Sequence, residues 1–248
     1  MKIEILYSEV ANLFGDMANI KYLEKCLPKA KFIYTSLNDE PKFIKEKVNL
    51  VYMGPMSENS QELVIKTLDK YKGLILKAID NGINFLVTGN AIEVFGKYIE
   101  NEDGSRIKGL GIFDLHAKRD MMHRYNSIEL GKFEKLEIVG FKSSFTETFG
   151  RPPKFLDIER GYGNSKDSKV EGIRKKNFIG TSLLGPILIL NPYFTKYLFE
   201  KMGVKMEKIL YEEEMIAAYN QRLLEFKDEN RSLDWLLFVY NISNKLNI

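Results

Sequence analysis

The sequence predicts an α/β protein: a mostly parallel β-sheet flanked by helices, followed by a helical C-terminal extension. Short, continuously apolar runs alternate with segments whose apolar residues recur at helical spacing, which is typical of a parallel sheet covered on both faces. Glycine follows two of these runs, at Gly54-Pro55 and at Gly89-Asn90, as sharp turns at strand ends require. From Asn191 onward the pattern is helical.

The first part of the chain contains three strand–helix units. Ile20, Leu23 and Leu27 share one face of a helix that Pro28 ends. Strands are predicted over residues 3–7, 32–35, 49–53 and 83–88, and further helices over residues 60–79 and 91–98. Ligands of such sheets bind at the carboxyl ends of the strands, so we expect the site at the turns that follow residues 53 and 88.

The second part of the chain has a different rhythm. From residue 109 strand-like pieces come closer together and glycine-rich turns separate them, which predicts an antiparallel or mixed edge. The pieces cover residues 136–141, 155–158 and 178–181, and helices are predicted over residues 192–202, 205–226 and 233–246. An apolar, largely aromatic stripe lies on the last helix (Trp235, Leu236, Phe238 and Tyr240). We expect one domain over residues 1–203, with an extension over residues 204–248 packed on it.

Composition excludes several classes of function. The formal net charge of +3 over 248 residues does not indicate a nucleic-acid partner, and no apolar run approaches the roughly 18 residues of a membrane span. A single cysteine excludes intrachain disulfides and zinc sites built on several thiolates, and two histidines leave few nitrogen ligands. We therefore expect a cytoplasmic protein without a metal or cofactor.

The residues alone show no complete catalytic set. The strand–turn–helix pattern at residues 87–91 is typical of a nucleophile elbow, but it carries Thr88, Gly89 and Asn90 rather than serine or cysteine. Cys26 lies near the C-terminal end of a helix, whereas reactive cysteines favour helix N-termini, so it is interpreted as a buried apolar residue.

The remaining polar candidates lie further along the chain. His116 and His123 would share a face if their segment were helical, but they would be about 10 Å apart along its axis, too far to share a metal. Arg124 could bind a carboxylate through its forked guanidinium.

Several motifs together resemble a known family. They are NLFGDMANI at residues 12–20, GLGIFD at 109–114, RYN at 124–126, GYGN at 161–164 with EG at 171–172, and GTSLLGP at 180–186 with NP at 191–192. Over about residues 3–202 the chain resembles class I glutamine amidotransferase-like domains of the cobyric acid synthase type, in particular the glutaminase subunit of lipid II isoglutaminyl synthase. This resemblance implies a flavodoxin-like fold, glutaminase chemistry and a Mur-ligase-like partner in bacterial cell-wall synthesis.

The residues that perform the family's chemistry do not match. Aligned without a gap, the nucleophilic cysteine of the family falls on Gly89, its glutamine on Glu93 and its general-base histidine on Leu184. The turn that supplies oxyanion N–H groups reads Gly54-Pro55-Met56-Ser57, and proline has no N–H to donate. The family's glutamate and histidine in a G-[YF]-E-x-H segment are replaced within GFKSS at residues 140–144.

These losses favour a catalytically inactive amidotransferase-like protein that acts as a binding or regulatory subunit, with a Mur-ligase-like partner and a small polar ligand at the strand ends. Its expected pocket combines turn, strand and loop residues: Gly54, Ser57, Gln61, Thr88, Asn90, Glu93, Arg124 and Ser144. One alternative is an enzyme of altered chemistry, with Glu93 as acid or base. Another is a working amidotransferase subunit that uses Cys26 and supplies ammonia to lipid II or a cobyric-acid-like substrate.

Overall fold

The computed structural model of the protein describes residues 1–234, and their strands form three sheets. In chain order the strands are β1 (Lys2–Leu6), β2 (Lys31–Thr35), β3 (Leu50–Met53), β4 (Asn84–Thr88), β5 (Tyr98–Glu100), β6 (Arg106–Lys108), β7 (Leu115–Arg119), β8 (Tyr125–Phe133), β9 (Leu136–Ser144), β10 (Thr146–Gly150), β11 (Leu156–Arg160), β12 (Val170–Glu171), β13 (Ile173–Lys175) and β14 (Phe178–Thr181). The helices are α1 (Ala18–Cys26), α2 (Glu58–Asp69), α3 (Lys72–Asp80), α4 (Ala91–Val94), α5 (Ile187–Leu190), α6 (Pro192–Lys201) and α7 (Glu212–Lys227).

The first sheet confirms the predicted α/β fold. Its strand order is β13-β14-β4-β3-β1-β2, and every pair is parallel except β13 with β14. Strands β3 and β4 are continuously apolar because both of their faces are buried: Val51 and Phe85 belong to one core cluster, whereas Leu50 and Leu86 belong to the other. The carboxyl ends of β3 and β4 therefore lie side by side at one edge of this sheet.

The second part of the chain corrects the prediction of a single antiparallel or mixed edge. Residues 178–181 form β14, which is parallel to β4 within the first sheet. Most of the other strands form two separate four-stranded sheets, ordered β10-β7-β5-β6 and β12-β11-β8-β9. Strands β7 and β8 were not predicted, because buried charged residues such as Arg119 and Glu129 interrupt their apolar pattern.

The segment that carries the two histidines is not helical. His116 lies in β7, where its ring stacks between those of Tyr98 and Phe149. His123 lies in an exposed turn beside Asp120. The two residues therefore belong to different elements and share no helix face.

Three predicted helices have different bounds. The helix over 60–79 is two helices, because the N–H of Tyr71 bonds the Leu68 carbonyl in a tight turn between α2 and α3. The helix over 91–98 ends at Val94, and Tyr98 already belongs to β5. The helix over 205–226 begins only at Glu212, after Tyr211 in the left-handed region with φ of 57°.

Helix α7 packs on the third sheet. Tyr219 and Phe226 join Ile128, Leu130 and Val139 of β8 and β9 in one apolar cluster. The predicted helix over 233–246 and its stripe of Trp235, Leu236, Phe238 and Tyr240 lie outside the described residues, apart from bends at positions 233 and 234. Within residues 1–234, no helix is both long and apolar enough to cross a membrane.

Candidate functional site

Hydrogen bonds join the turns that follow β3 and β4 at the carboxyl edge of the first sheet. The side chain of Asn90, which follows β4, accepts a hydrogen bond from the N–H of Met56 at 3.0 Å and donates to the Met56 carbonyl at 2.7 Å. The amide of Gln61 in α2 donates to the Asn90 carbonyl at 2.8 Å. These bonds hold the turns after β3 and β4 in a fixed relation.

A small cavity of about 110 Å³ opens beside these turns. Of the expected pocket residues, six line it: Ser57, Gln61, Asn90, Glu93, Arg124 and Ser144. Gly54 and Thr88 do not line it, because both face the buried carboxyl of Asp16. The remaining lining comes from other turns and strands: Leu13, Phe14, Met56, Glu58, Gly89, Lys142, Ser143, Phe145, Thr146, Thr148, Ser182 and Leu184.

The turn after β4 has the backbone of an elbow but no side chain at its apex. Gly89 has a φ of +59°, in the left-handed region that side chains rarely adopt. A Cβ at this position would lie 2.5 Å from the Pro55 Cβ and 3.1 Å from the Leu184 Cδ2. The two positions that align with the family's nucleophile and base thus face each other, and Pro55 fills the space that a nucleophile's side chain would need.

Beneath the strand ends lies a buried polar network that was not predicted from the individual residues. The Asp16 carboxyl accepts hydrogen bonds from the Tyr52 and Thr88 hydroxyls, the latter at 3.0 Å. Asn19 donates to Asp16 at 3.2 Å and accepts a bond from the N–H of Leu188 at 3.0 Å. Both Asp16 and Asn19 lie in the 12–20 motif, so that motif was the available signal.

The Asp16 carboxyl predicts a pH dependence of stability. Burial raises its pKa from 3.8 to about 6, so the folded state holds the proton more tightly than the unfolded chain. This contribution is complete below pH 3.8 and is lost as pH rises through about 6. It amounts to roughly 3 kcal/mol, at about 1.4 kcal/mol per pKa unit.

Urea unfolding at a series of pH values checks this expectation. The free energy of unfolding should decline less between about pH 4 and 7 in Asp16→Asn than in the unmodified protein. The exposed Asp69→Asn variant should keep the original slope. An Asp16→Asn variant with the original slope would show that another group carries the effect.

A buried lysine, Lys142, lines the cavity. The Lys142 ammonium donates to the carbonyls of Gly163 and Asn164, and it interacts electrostatically with the buried carboxyl groups of Glu129 and Glu171. Burial lowers the pKa of Lys142 and raises that of Glu129 from 4.5 to about 7. These residues were not predicted, although Lys142 lies within the GFKSS segment and Glu171 within the EG motif.

Both oxygens of the Glu93 carboxyl are engaged by the protein. One accepts a hydrogen bond from the Thr146 hydroxyl, and the other accepts from Gln61 at 2.9 Å. Arg119 donates to Gln61 at 2.9 Å, and Ser144 bonds Thr146 at 2.7 Å. Burial raises the pKa of Glu93. This chain of bonds ties α2, α4, β7 and β10 together beneath the cavity wall.

Arg124 is a cation at the cavity, and no acidic side chain in the described part of the chain, residues 1–234, forms an ion pair with it. Its guanidinium lies 4.1 Å above the Phe145 ring centroid and donates to the Ser143 hydroxyl at 3.2 Å. No ion pair among residues 1–234 involves it. A guanidinium in this state can take a carboxylate from a ligand.

The alternative nucleophile lies elsewhere. Cys26 is buried in the apolar cluster that holds Leu23 and Leu27 of the same region, and it does not line the cavity. Neither His116 nor His123 lines the cavity. In the described part of the chain, no three histidine, cysteine, aspartate or glutamate side chains are grouped so that they could hold a metal.

The chain is similar to one protein family and to individual proteins of related description. Residues 2–190 match the CobB/CobQ-like glutamine amidotransferase domain family. The chain is 31% identical over 196 residues to the lipid II isoglutaminyl synthase (glutamine-hydrolyzing) subunit GatD of Staphylococcus aureus (strain N315), covering 78% of this chain and 81% of that one. It is 26% identical over 226 residues to the subunit of the same name from Streptococcus pneumoniae (strain ATCC BAA-255 / R6), covering 86% of each chain.

Solved structures include one described as a glutamine amidotransferase. It has 19% sequence identity and a TM-score of 0.47, and the match covers 82% of this chain and 99% of that one.

Proposed function

This chain belongs to the family of CobB/CobQ-like glutamine amidotransferase domains, and we propose that it is a member that does not hydrolyse glutamine and instead acts as a binding or regulatory subunit. One observation carries the proposal: the elbow after β4 presents Gly89, with Leu184 and Pro55 packed against it. The family's chemistry, as the resemblance implies it, uses a cysteine thiolate as nucleophile and a histidine imidazole as base, and neither group is present at this elbow.

The oxyanion side of the site supports the same conclusion. Pro55 has no N–H, and the N–H of the following Met56 is already bonded to the Asn90 side chain. A tetrahedral intermediate at this elbow would therefore lack donors from Pro55 and Met56. Nucleophile, base and oxyanion donors are all altered, so little transition-state stabilisation is left.

An enzyme of altered chemistry is the second candidate, favoured by the buried carboxyl of Glu93 at a cavity wall. A general base must reach a substrate proton within about 3 Å. The two carboxyl oxygens of Glu93 instead accept hydrogen bonds from Thr146 and Gln61. We therefore treat Glu93 as part of the network that holds the cavity wall, and the binding role as the better supported one.

The proposed partner is a Mur-ligase-like protein in cell-wall metabolism, in the cytoplasm. Support comes from the two relatives, whose names describe them as subunits of a glutamine-hydrolysing synthase. We propose residues 204–248 as an extension of the domain that ends at residue 203. The α7 helix of this extension leaves Leu224 69% exposed, which a partner could cover.

Glutamate release from glutamine tests the proposal. The purified chain should give no release above the uncatalysed rate, either alone or with a co-expressed Mur-ligase-like partner. A Cys26→Ala variant serves as the control, and it should behave identically because Cys26 is buried in the core. Turnover that persists through purification, or that Cys26→Ala abolishes, would overturn the proposal.

A further inference from the structure

We infer that the cavity binds a small carboxylate with an apolar tail, such as a branched aliphatic amino acid, in preference to glutamine. The inference rests on the proposed function, because it takes the site to bind without hydrolysing. It concerns the chemical class of the ligand, and three features of the cavity carry it.

The first feature is the apolar end beside the elbow. Pro55 and Leu184 approach within 2.5 and 3.1 Å of where a Cβ on Gly89 would lie, so hydrocarbon fills the place of the reacting groups. Leu13, Phe14, Met56 and Phe145 add apolar surface around the cavity. A hydrocarbon tail gains free energy from burial against such surface.

The second feature is that several polar groups of the wall already bond within the protein. The Asn90 amide bonds Met56 through both its oxygen and its nitrogen. The Ser182 hydroxyl donates to Glu171 at 3.0 Å, and the Ser144 hydroxyl bonds Thr146 at 2.7 Å. The side-chain amide of glutamine would lose its water and would have to share these groups with their protein partners, which disfavours its binding.

The third feature is Arg124 at another wall. It has no acidic partner among residues 1–234, and Ser143 and the ring of Phe145 hold its guanidinium at the cavity. The other lining cation, Lys142, is bonded to two carbonyls and interacts electrostatically with buried carboxyl groups of the protein. The ligand's carboxylate is therefore assigned to Arg124.

The size of the cavity limits how much of the ligand it can enclose. Its volume of about 110 Å³ is somewhat smaller than the engineered apolar cavity of about 150 Å³ that holds benzene. An amino acid is larger than benzene, so the cavity is expected to enclose only the short branched tail of one ligand, with the charged end at the opening.

Calorimetric titration of the full chain with three probes tests the inference. L-leucine should bind at least about tenfold more tightly than L-glutamine, because an unpaired buried amide is costly. Leucinamide, which lacks the carboxylate, should also bind at least about tenfold more weakly than L-leucine. L-glutamine that binds as tightly as L-leucine would overturn the inference, as would the absence of binding by all three probes.

Two variants test which residues contact the carboxylate end and the apolar end of the ligand. Arg124→Gln should remove the preference for L-leucine over leucinamide, whereas Arg151→Gln, which removes an exposed charge away from the cavity, should leave it intact. Leu184→Asn, which places an amide at the apolar end, should narrow the preference for L-leucine over L-glutamine. A failure of these contrasts overturns only the ligand class, whereas glutamate release from L-glutamine would overturn the proposed function itself.

Discussion

Replacing Lys142 with methionine is expected to lower the free energy of unfolding by about 2–4 kcal/mol, because the buried carbonyls of Gly163 and Asn164 lose their donor and two buried carboxyl groups lose a nearby cation. Lys142 is 2% exposed, and both Glu129 and Glu171 are fully buried. Methionine fills a similar volume, so the loss would come mainly from charge and hydrogen bonding rather than from a cavity. Urea unfolding near neutral pH measures it.

Two further variants make this expectation specific. Lys132→Met on neighbouring β8 removes an exposed ion pair with Glu159 and should cost at most about 1 kcal/mol. Adding Glu129→Gln to Lys142→Met should recover part of the loss, because it removes a buried carboxyl group that has lost its neighbouring cation. A loss below about 1 kcal/mol for Lys142→Met would show that the carboxyl groups do not depend on this cation.

Placing cysteine at Gly89 is expected to destabilise the fold by about 2–4 kcal/mol and to leave glutamine hydrolysis absent. The left-handed backbone costs a side chain about 1 kcal/mol, and overpacking against Pro55 adds about 1–3 kcal/mol. Hydrolysis stays absent because Leu184 still cannot take a proton. Urea unfolding and glutamate release measure the two effects.

A matched control separates the two costs at Gly89. Gly104 also has positive φ, at +80°, but a Cβ there would meet no atom within 4 Å. Gly104→Cys should therefore cost only the backbone part, about 1 kcal/mol. Adding Pro55→Gly to Gly89→Cys should recover stability if Pro55 causes the steric part. Equal losses for Gly89→Cys and Gly104→Cys would contradict the packing of Pro55 against the elbow.

The sequence allowed the first sheet and the position of the cavity to be predicted. Strands β3 and β4 are buried on both faces, so they are continuously apolar, and glycine marks the turn after each. Parallel neighbours bring their carboxyl ends together, which places Gly54 and Gly89 at one edge. In this sheet, the apolar pattern of the strands and their parallel order indicate the same edge.

The sheets built from β7 to β12 could not be predicted in the same way. These strands bury charged side chains that interact with one another across the sheet, such as Lys142 on β9 with Glu129 on the adjacent β8. A pattern of apolar residues cannot reveal such a pairing. The helix bounds failed for a related reason: Tyr71 and Tyr211 end or begin helices through backbone geometry that tertiary packing selects.

The absence of a glutamine-directed nucleophile at the elbow is the central claim, and covalent trapping tests it most directly. Intact-mass spectrometry would follow the chain with an electrophilic ketone analogue of glutamine, with and without excess glutamine, alone and with a co-expressed partner. We expect no adduct that glutamine suppresses, and the same result for Cys26→Ala. A stoichiometric, glutamine-protected adduct would contradict the claim and show that a nucleophile serves this site.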